Sequence, residues 1–198
     1  MFQNAELRKE IGAIILAGGK SRRFGTDKAV YSFQGKPLIE NVIKIVERVT
    51  RNIFIISNSP EQMDFLNYPV FQDIIQGAGP LGGIYTGLIH SEFELNLVLP
   101  CDMPHISTDC LDFLISNTNG NDITVPLHKN RLEPLCAVYS RSCIPHIKDQ
   151  IETKDVQVFQ FYDKVDTLKI NFSDDLPFYN DRLFSNINFK QDLQKLSK

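Results

Sequence analysis

Apolar and polar positions along the chain fall into two kinds of block. Residues 12–17, "GAIILA", are apolar throughout and β-branched at the centre. Such a run reads as a strand buried on both faces. The stretch "PLIENVIKIVERV" follows, with Leu38, Val42, Ile45, Val46 and Val49 at helical spacing and Pro37 at a helix start. "NIFIIS" (52–57) and the short "PVFQD" (69–73) are the next strands, and a helix begins near Pro80 in "GPLGGIYTGLIHS". "LNLVLP" (95–100) is a fourth strand. "STDCLDFLISN" (107–117) is a helix with Ser107 as its N-cap. "DITVP" and "LCAVY" are two more strands, helical patterns return over 142–150 and 155–163, and "TLKINF" (167–172) is a late strand. Near the end, Asn188 and Gln191 stand at capping-box spacing before "NFKQDLQKL".

Strands alternate with helices, which predicts an α/β protein with a parallel or mainly parallel sheet. The second half is less regular, so a mixed sheet is expected. There is no internal repeat and no Pro/Gly/Ser linker. A chain of 198 residues suits one domain.

Composition narrows the function classes. The chain is 42% hydrophobic and 23% charged, with a net charge of −3. That balance argues against broad binding to nucleic acid or a membrane surface. The first residues, "MFQNAELRKE", lack an apolar signal-peptide core, so the cytoplasm is the expected compartment. Cys101, Cys110, Cys136 and Cys143 form no C-x-x-C pair and have no His at zinc-finger spacing; they read as buried reduced thiols. His90, His105, His128 and His146 carry no catalytic expectation.

Against this mildly acidic background one stretch stands out. "LAGGKSRRFGTDKA" (16–29) holds Lys20, Arg22, Arg23 and Lys28 against Asp27, a local charge of +3. It follows the first strand, and ligands of open α/β sheets sit outside the carboxyl ends of strands. Its glycines allow positive φ or let backbone N–H groups approach phosphate oxygens. Two common phosphate motifs do not fit. A P-loop needs glycine where Ile14 stands, and a dinucleotide fingerprint needs alternate glycines where Lys20 and Ser21 follow Gly19. An anion-binding loop of another kind is implied. Asp102, directly after a buried strand, reads equally as a hard-cation ligand or as a turn-capping carboxylate.

The pattern L-A-G-G-x-S-x-R-x-G-x-D-K-A resembles the signature loop of the molybdenum cofactor guanylyltransferases. Further blocks match in order: "QDIIQGAGPLGGI" (72–84), "LVLPCDMP" (97–104), "RLEPLCAVY" (131–139) and "NINFKQDL" (186–193). The last lacks the Thr-Pro that the family has after its second Asn. The resemblance implies a Rossmann-like three-layer sandwich of nucleotidyltransferase type, with a mainly parallel mixed sheet. The part up to about residue 105 would serve mainly the nucleotide and the remainder mainly the pterin. The implied reaction moves GMP from Mg-GTP to the terminal phosphate of molybdenum-loaded molybdopterin, releasing pyrophosphate. By the same resemblance Leu16, Ala17, Gly18, Gly19, Lys28, Asp73 and Asp102 contact the nucleotide; Asn58, just after the second strand, is a further nucleotide-contact candidate or else an Asx-turn residue. Lys28, Arg22 and Asp102 carry catalysis, Asp102 holds Mg²⁺, and Arg131, Asn186 and Asn188 meet the pterin. GTP and molybdopterin carrying molybdenum are the implied substrates. A molybdenum insertion protein, or apo-molybdoenzymes and their chaperones, are the implied partners for hand-over.

Two other readings share these residues. One is a cytidylyltransferase acting on the same pterin or on a sugar-alcohol phosphate, differing only in the base pocket. The other is a non-catalytic nucleotide-binding module, against which the combined presence of Lys28 and Asp102 argues, since metal-coupled triphosphate handling points to turnover.

Overall fold

The computed structural model describes residues 10–18, 28–33, 35–187, 189 and 192. The all-apolar run near the N-terminus becomes β1 (Ile11–Leu16), whose six residues are all buried. It lies at the middle of the sheet because two parallel neighbours flank it. These are β4 (Ile53–Ile56), in register Ala13 with Ile53, and β6 (Leu95–Pro100), in register Ile11 with Leu95. Beyond β4 lies the two-residue β5 (Val70–Phe71). On the other side β6 pairs antiparallel with β9 (Ala137–Ser140), which pairs antiparallel with β7 (Ile123–His128), which pairs parallel with β10 (Thr167–Phe172). The strand order is β10-β7-β9-β6-β1-β4-β5, with β8 (Arg131–Leu132) hairpinned onto β7. The reversed β9 makes the sheet mixed, as expected. Pro100 sits where its missing N–H costs nothing: it faces Leu16 of β1, and β9 pairs with β6 only as far as Val98.

Alternate residues of β1 serve opposite faces. Ile11, Ala13 and Ile15 pack with Ile39 and Val42 of α1 (Leu38–Val46) and with Leu111 and Leu114 of α3 (Thr108–Ser116). Ile14 and Leu16 pack with Leu81, Ile84 and Leu88 of α2 (Gly79–His90) and with Ile147 and Ile151 of α4 (Ile144–Glu152). The result is a three-layer sandwich. α1 has the charge pattern of a stable surface helix, Glu40 in its first turn and Lys44 in its last. Ser107 caps α3, its hydroxyl accepting from the Cys110 amide at 3.2 Å. α2 is buried from Leu81 to Leu88. It can lie that close because Gly87 has no side chain: a Cβ there would stand 2.4 Å from Cγ2 of Ile14.

Several boundaries differ from the sequence expectation. The segment 155–163 is not a helix but a series of turns ending in a single 3-10 turn, Tyr162–Lys164. The buried amide of Gln150 donates to the carbonyls of Asp155 and Gln157 at 3.1 and 2.6 Å, and the Asp155 carboxylate accepts from the Gln157 amide. These local bonds compete with a helical ladder, while Val158, Phe161 and Tyr162 still reach the core. A hairpin, β2 (Ser32–Phe33) with β3 (Lys36–Pro37), precedes α1; Gly35 turns it with φ of +79°. The stretch between β7 and β8 is a tight hairpin, with Lys129 and Asn130 both at positive φ. The Asn188–Gln191 cap lies outside the described residues.

Candidate functional site

Every strand of the large sheet except β8 and β9 points its carboxyl end the same way, and a cleft of about 280 Å³ opens at that edge. Leu16, Ala17 and Gly18 form its floor as β1 ends. The chain is stitched there to both neighbours: the Ala17 amide donates to the Ile56 carbonyl at 2.8 Å, and the Cys101 amide to the Leu16 carbonyl at 3.1 Å. Gly18 does not use positive φ, and an added Cβ would meet Asn58 only at ordinary contact distance. Gly19 and Arg22 lie outside the described residues.

Two charged residues, 74 positions apart in sequence, meet in this cleft. Nζ of Lys28 lies 2.5 Å from Oδ2 of Asp102, with side chains only 13% and 19% exposed. Asp102 follows β6 between Cys101 and Met103, both buried. Its second oxygen, Oδ1, is buried without a hydrogen-bond partner among the described residues. A carboxylate with one satisfied and one orphaned buried oxygen suits a hard cation. The described residues hold no group of three or more His, Cys, Asp or Glu at metal spacing. A cation here would therefore take most of its ligands from a bound molecule and water, as Mg²⁺ does beside phosphates.

The opposite wall is built by β4, β5 and α2. Asp73 follows β5, and its Oδ2 accepts from Nδ2 of Asn58, just past β4, at 2.7 Å. Burial raises the Asp73 carboxyl above its usual pKa, and the Asn58 amide opposes that rise. The first turn of α2 presents Gly79, Pro80 and Gly83 to the cleft, so the positive end of a 12-residue helix faces the cavity. Gly79 has φ of +59°, and a Cβ on Gly83 would fall 2.9 Å from Cδ2 of Leu16 and 3.7 Å from Oδ1 of Asp73. The Ile74 amide donates to the buried hydroxyl of Thr86, which donates to the Gly82 carbonyl. The Asp73 loop is thereby fixed to α2.

Leu135 and Asn186 complete the lining. The Ile187 amide donates to the Asp102 carbonyl at 2.9 Å, which joins the C-terminal segment to the Asp102 turn. Asn186 also lines a second cavity of about 240 Å³, beside His105 and Arg182; burial, and then Arg182, lower the His105 pKa. The structure thus brings Leu16, Ala17, Gly18, Lys28, Asp73, Asp102 and Asn186 together, with Asn58 behind Asp73. Arg131 is exposed on the β7–β8 hairpin, outside the cleft lining, and Asn188 lies outside the described residues.

The cleft also contains residues that sequence reasoning passed over. Cys101 and Leu135 line it; all four cysteines are buried and outside any disulfide, as expected. Glu133, outside the cleft lining, carries a further shifted carboxyl. Burial pushes its carboxyl up to about 7, against the influence of Arg131. Its Oε1 lies 3.7 Å from Nδ1 of His128. That separation is too long for a hydrogen bond, and burial lowers the His128 pKa, so the contact is not an ion pair at neutral pH. His128 instead meets the Tyr179 hydroxyl at 3.1 Å.

Comparison with known proteins adds a lineage to this geometry. A family model described as a MobA-like NTP transferase domain matches residues 13–165. A curated relative from Flavobacterium johnsoniae, named "Probable molybdenum cofactor guanylyltransferase", is 39% identical over 92% of this chain and 94% of its own length. One of the same name from Carboxydothermus hydrogenoformans is 33% identical over 93% of each. Among solved structures, molybdopterin-guanine dinucleotide biosynthesis protein A from Archaeoglobus fulgidus superposes with a TM-score of 0.78 at 24% identity, covering 93% of this chain and 95% of that one, a likeness of fold. No helix among the described residues is long and apolar enough to cross a membrane.

Proposed function

The chain belongs to the molybdenum cofactor guanylyltransferase family, within the MobA-like NTP transferases, and from that premise we propose that it transfers GMP from Mg-GTP to the terminal phosphate of molybdenum-loaded molybdopterin. An oxygen of the acceptor phosphate bonds to the α-phosphorus. The bond from that phosphorus to the oxygen bridging to the β-phosphate breaks, and its electron pair leaves with pyrophosphate. The nucleophile is already ionised, so no general base is needed.

The observation that carries this reading is the meeting of Lys28 and Asp102 at the carboxyl edge of the sheet, with Oδ1 of Asp102 left unpartnered. Transfer between two anions is mostly positioning and charge neutralisation. Asp102 would hold Mg²⁺, which when bound supplies neutralisation of the α-phosphate and the departing pyrophosphate. Lys28 contributes a mobile positive charge that follows the phosphates, and the N-terminal turn of α2 adds its dipole. Asp73, held by Asn58, accepts from guanine N1–H and the exocyclic amine. Asn186 faces the acceptor. On this reading the part up to about residue 105 serves mainly the nucleotide and the remainder mainly the pterin; most of the cleft lining comes from the first part, with Leu135 and Asn186 from the second.

The test is incubation with molybdenum-loaded molybdopterin, Mg²⁺ and either GTP or CTP, with mass analysis of the products. The guanine dinucleotide and pyrophosphate, from GTP alone, are expected. A cytosine dinucleotide would make the protein a cytidylyltransferase, and nucleotide binding without product would make it a binding module.

A further inference from the structure

We propose that the Lys28–Asp102 ion pair gates the metal site, so that a divalent cation enters with the nucleotide and not before it. The inference rests on the reading of Asp102 as the metal ligand, and it adds a rule of order to that reading. In the structure the ammonium lies 2.5 Å from Oδ2 of Asp102. The carboxylate therefore offers a cation only Oδ1, which is buried and has no hydrogen-bond partner among the described residues. A divalent ion on Oδ1 would stand a few ångström from the ammonium, both of them largely shielded from water, and like charges at that range repel strongly. No cluster of other carboxylates, His or Cys among the described residues offsets the repulsion. The ammonium thus acts as the resident cation of this carboxylate.

A triphosphate removes the obstacle. Its oxygens give the Lys28 ammonium an alternative anion of higher charge, on a side chain long enough to swing to it. They also supply the further hard ligands that a single carboxylate lacks. Asp102 is released from Lys28 in the same event that brings the cation its other oxygens. Metal and nucleotide then bind with positive coupling, and by linkage each raises the affinity of the other by the same factor. The pairing also spares the cleft an uncompensated part-buried carboxylate.

The test reads metal occupancy directly. Mn²⁺ binding is followed by electron paramagnetic resonance in the nucleotide-free protein and again with a non-hydrolysable α,β-methylene GTP analogue. Wild type should bind Mn²⁺ weakly alone and at least ~10-fold more tightly with the analogue, the scale of an ordinary coupling. Lys28→Met, which keeps the stem and removes the charge, should tighten Mn²⁺ binding in the nucleotide-free protein by ~10-fold or more. Lys28→Arg, which keeps the charge, should leave it weak. Adding Asp102→Asn to Lys28→Met should abolish the gain. If Lys28→Met binds Mn²⁺ no better than wild type while Asp102→Asn loses the metal–analogue complex, the gate is overturned and Asp102 remains a metal ligand. If Asp102→Asn binds the metal–analogue complex as wild type does, Asp102 is not the ligand, and the gate falls with it. Should Lys28→Met fail to fold, equal Mn²⁺ affinity of wild type with and without the analogue overturns the coupling by itself.

Discussion

The side-chain amide of Asn58 donates to Oδ2 of Asp73 across 2.7 Å, fastening the ends of two parallel strands together where they meet the cleft. The bond uses one carboxylate oxygen and leaves Oδ1 on the Gly83 side, where no Cβ intrudes. If Asp73 reads the guanine edge, Asp73→Ala should weaken GTP binding by about 1–3 kcal/mol, the cost of unpaired polar groups. Asn58→Ala should cost about 1 kcal/mol, because the carboxylate remains but loses its support. Calorimetric titration with GTP and CTP checks both. An equal loss for the two nucleotides would move Asp73 to a ribose, phosphate or structural role.

Asp102→Asn keeps the shape of the side chain and removes its charge. Turnover should fall by at least about 10²-fold, as for loss of a preorganised charge-stabilising group, and the remaining activity should respond little to Mg²⁺. Binding of metal-free GTP should survive or tighten, because a negative charge near the phosphates is gone. Melting temperature alone cannot separate a metal ligand from a turn cap. The variant also strips Lys28 of its part-buried counter-charge, costing about 1–3 kcal/mol on either reading. The Mg²⁺ titration decides: a near-normal rate with an unchanged titration would end the assignment.

Glu133 should make stability depend on pH between 4.5 and about 7. Below pH 4.5 its carboxyl is protonated in the folded and unfolded chains alike, and burial costs it little. As the pH rises, the unfolded chain gives up the proton first, since the folded pKa is raised to about 7. The folded state binds more protons through this window and loses stability across it. Glu133→Gln should therefore be more stable than wild type at pH 8 by about 1–3 kcal/mol, with the difference vanishing by pH 4. Urea melts at the two pH values measure it. A constant difference would show that the glutamine acts through packing and not through charge.

Gly87→Ala should destabilise the fold by about 1–3 kcal/mol through overpacking. The new methyl would need the space held by Ile14, which has three side-chain carbons within 2.8 Å of the Cβ position. Pairing it with Ile14→Val should recover part of the loss, and thermal unfolding of the single and double variants tests the coupling. Additive effects would mean that α2 shifts as a body.

Much of this was legible in the chain because burial writes itself into periodicity. β1 and β6 are long apolar runs, and α3 announces its start with Ser107. Lys28, Asp73 and Asp102 were legible as chemistry because each sits just beyond an apolar run or in a charged glycine loop. The features that the pattern did not report have separate physical causes. The segment 155–163 has helical hydrophobic spacing, but the Gln150 amide captures its backbone carbonyls. The β7–β8 hairpin turns on two consecutive positive-φ residues, Lys129 and Asn130, neither of them glycine. The Lys28–Asp102 and Asn58–Asp73 pairs join different strand ends, and no local pattern reports which ends become neighbours.

The amide of Ile187 bonded to the carbonyl of Asp102 is a single short rivet between chain segments 85 residues apart. Asn186, next in the chain to the rivet, lines the same cleft as Asp102. A molecule that pushes on Asn186 pushes, through one peptide unit, on the turn that aims the Asp102 carboxylate. On the proposed reading, an acceptor resting on Asn186 and a nucleotide served by Asp102 share this hinge pin, so that seating one sets the angle at which the other is held.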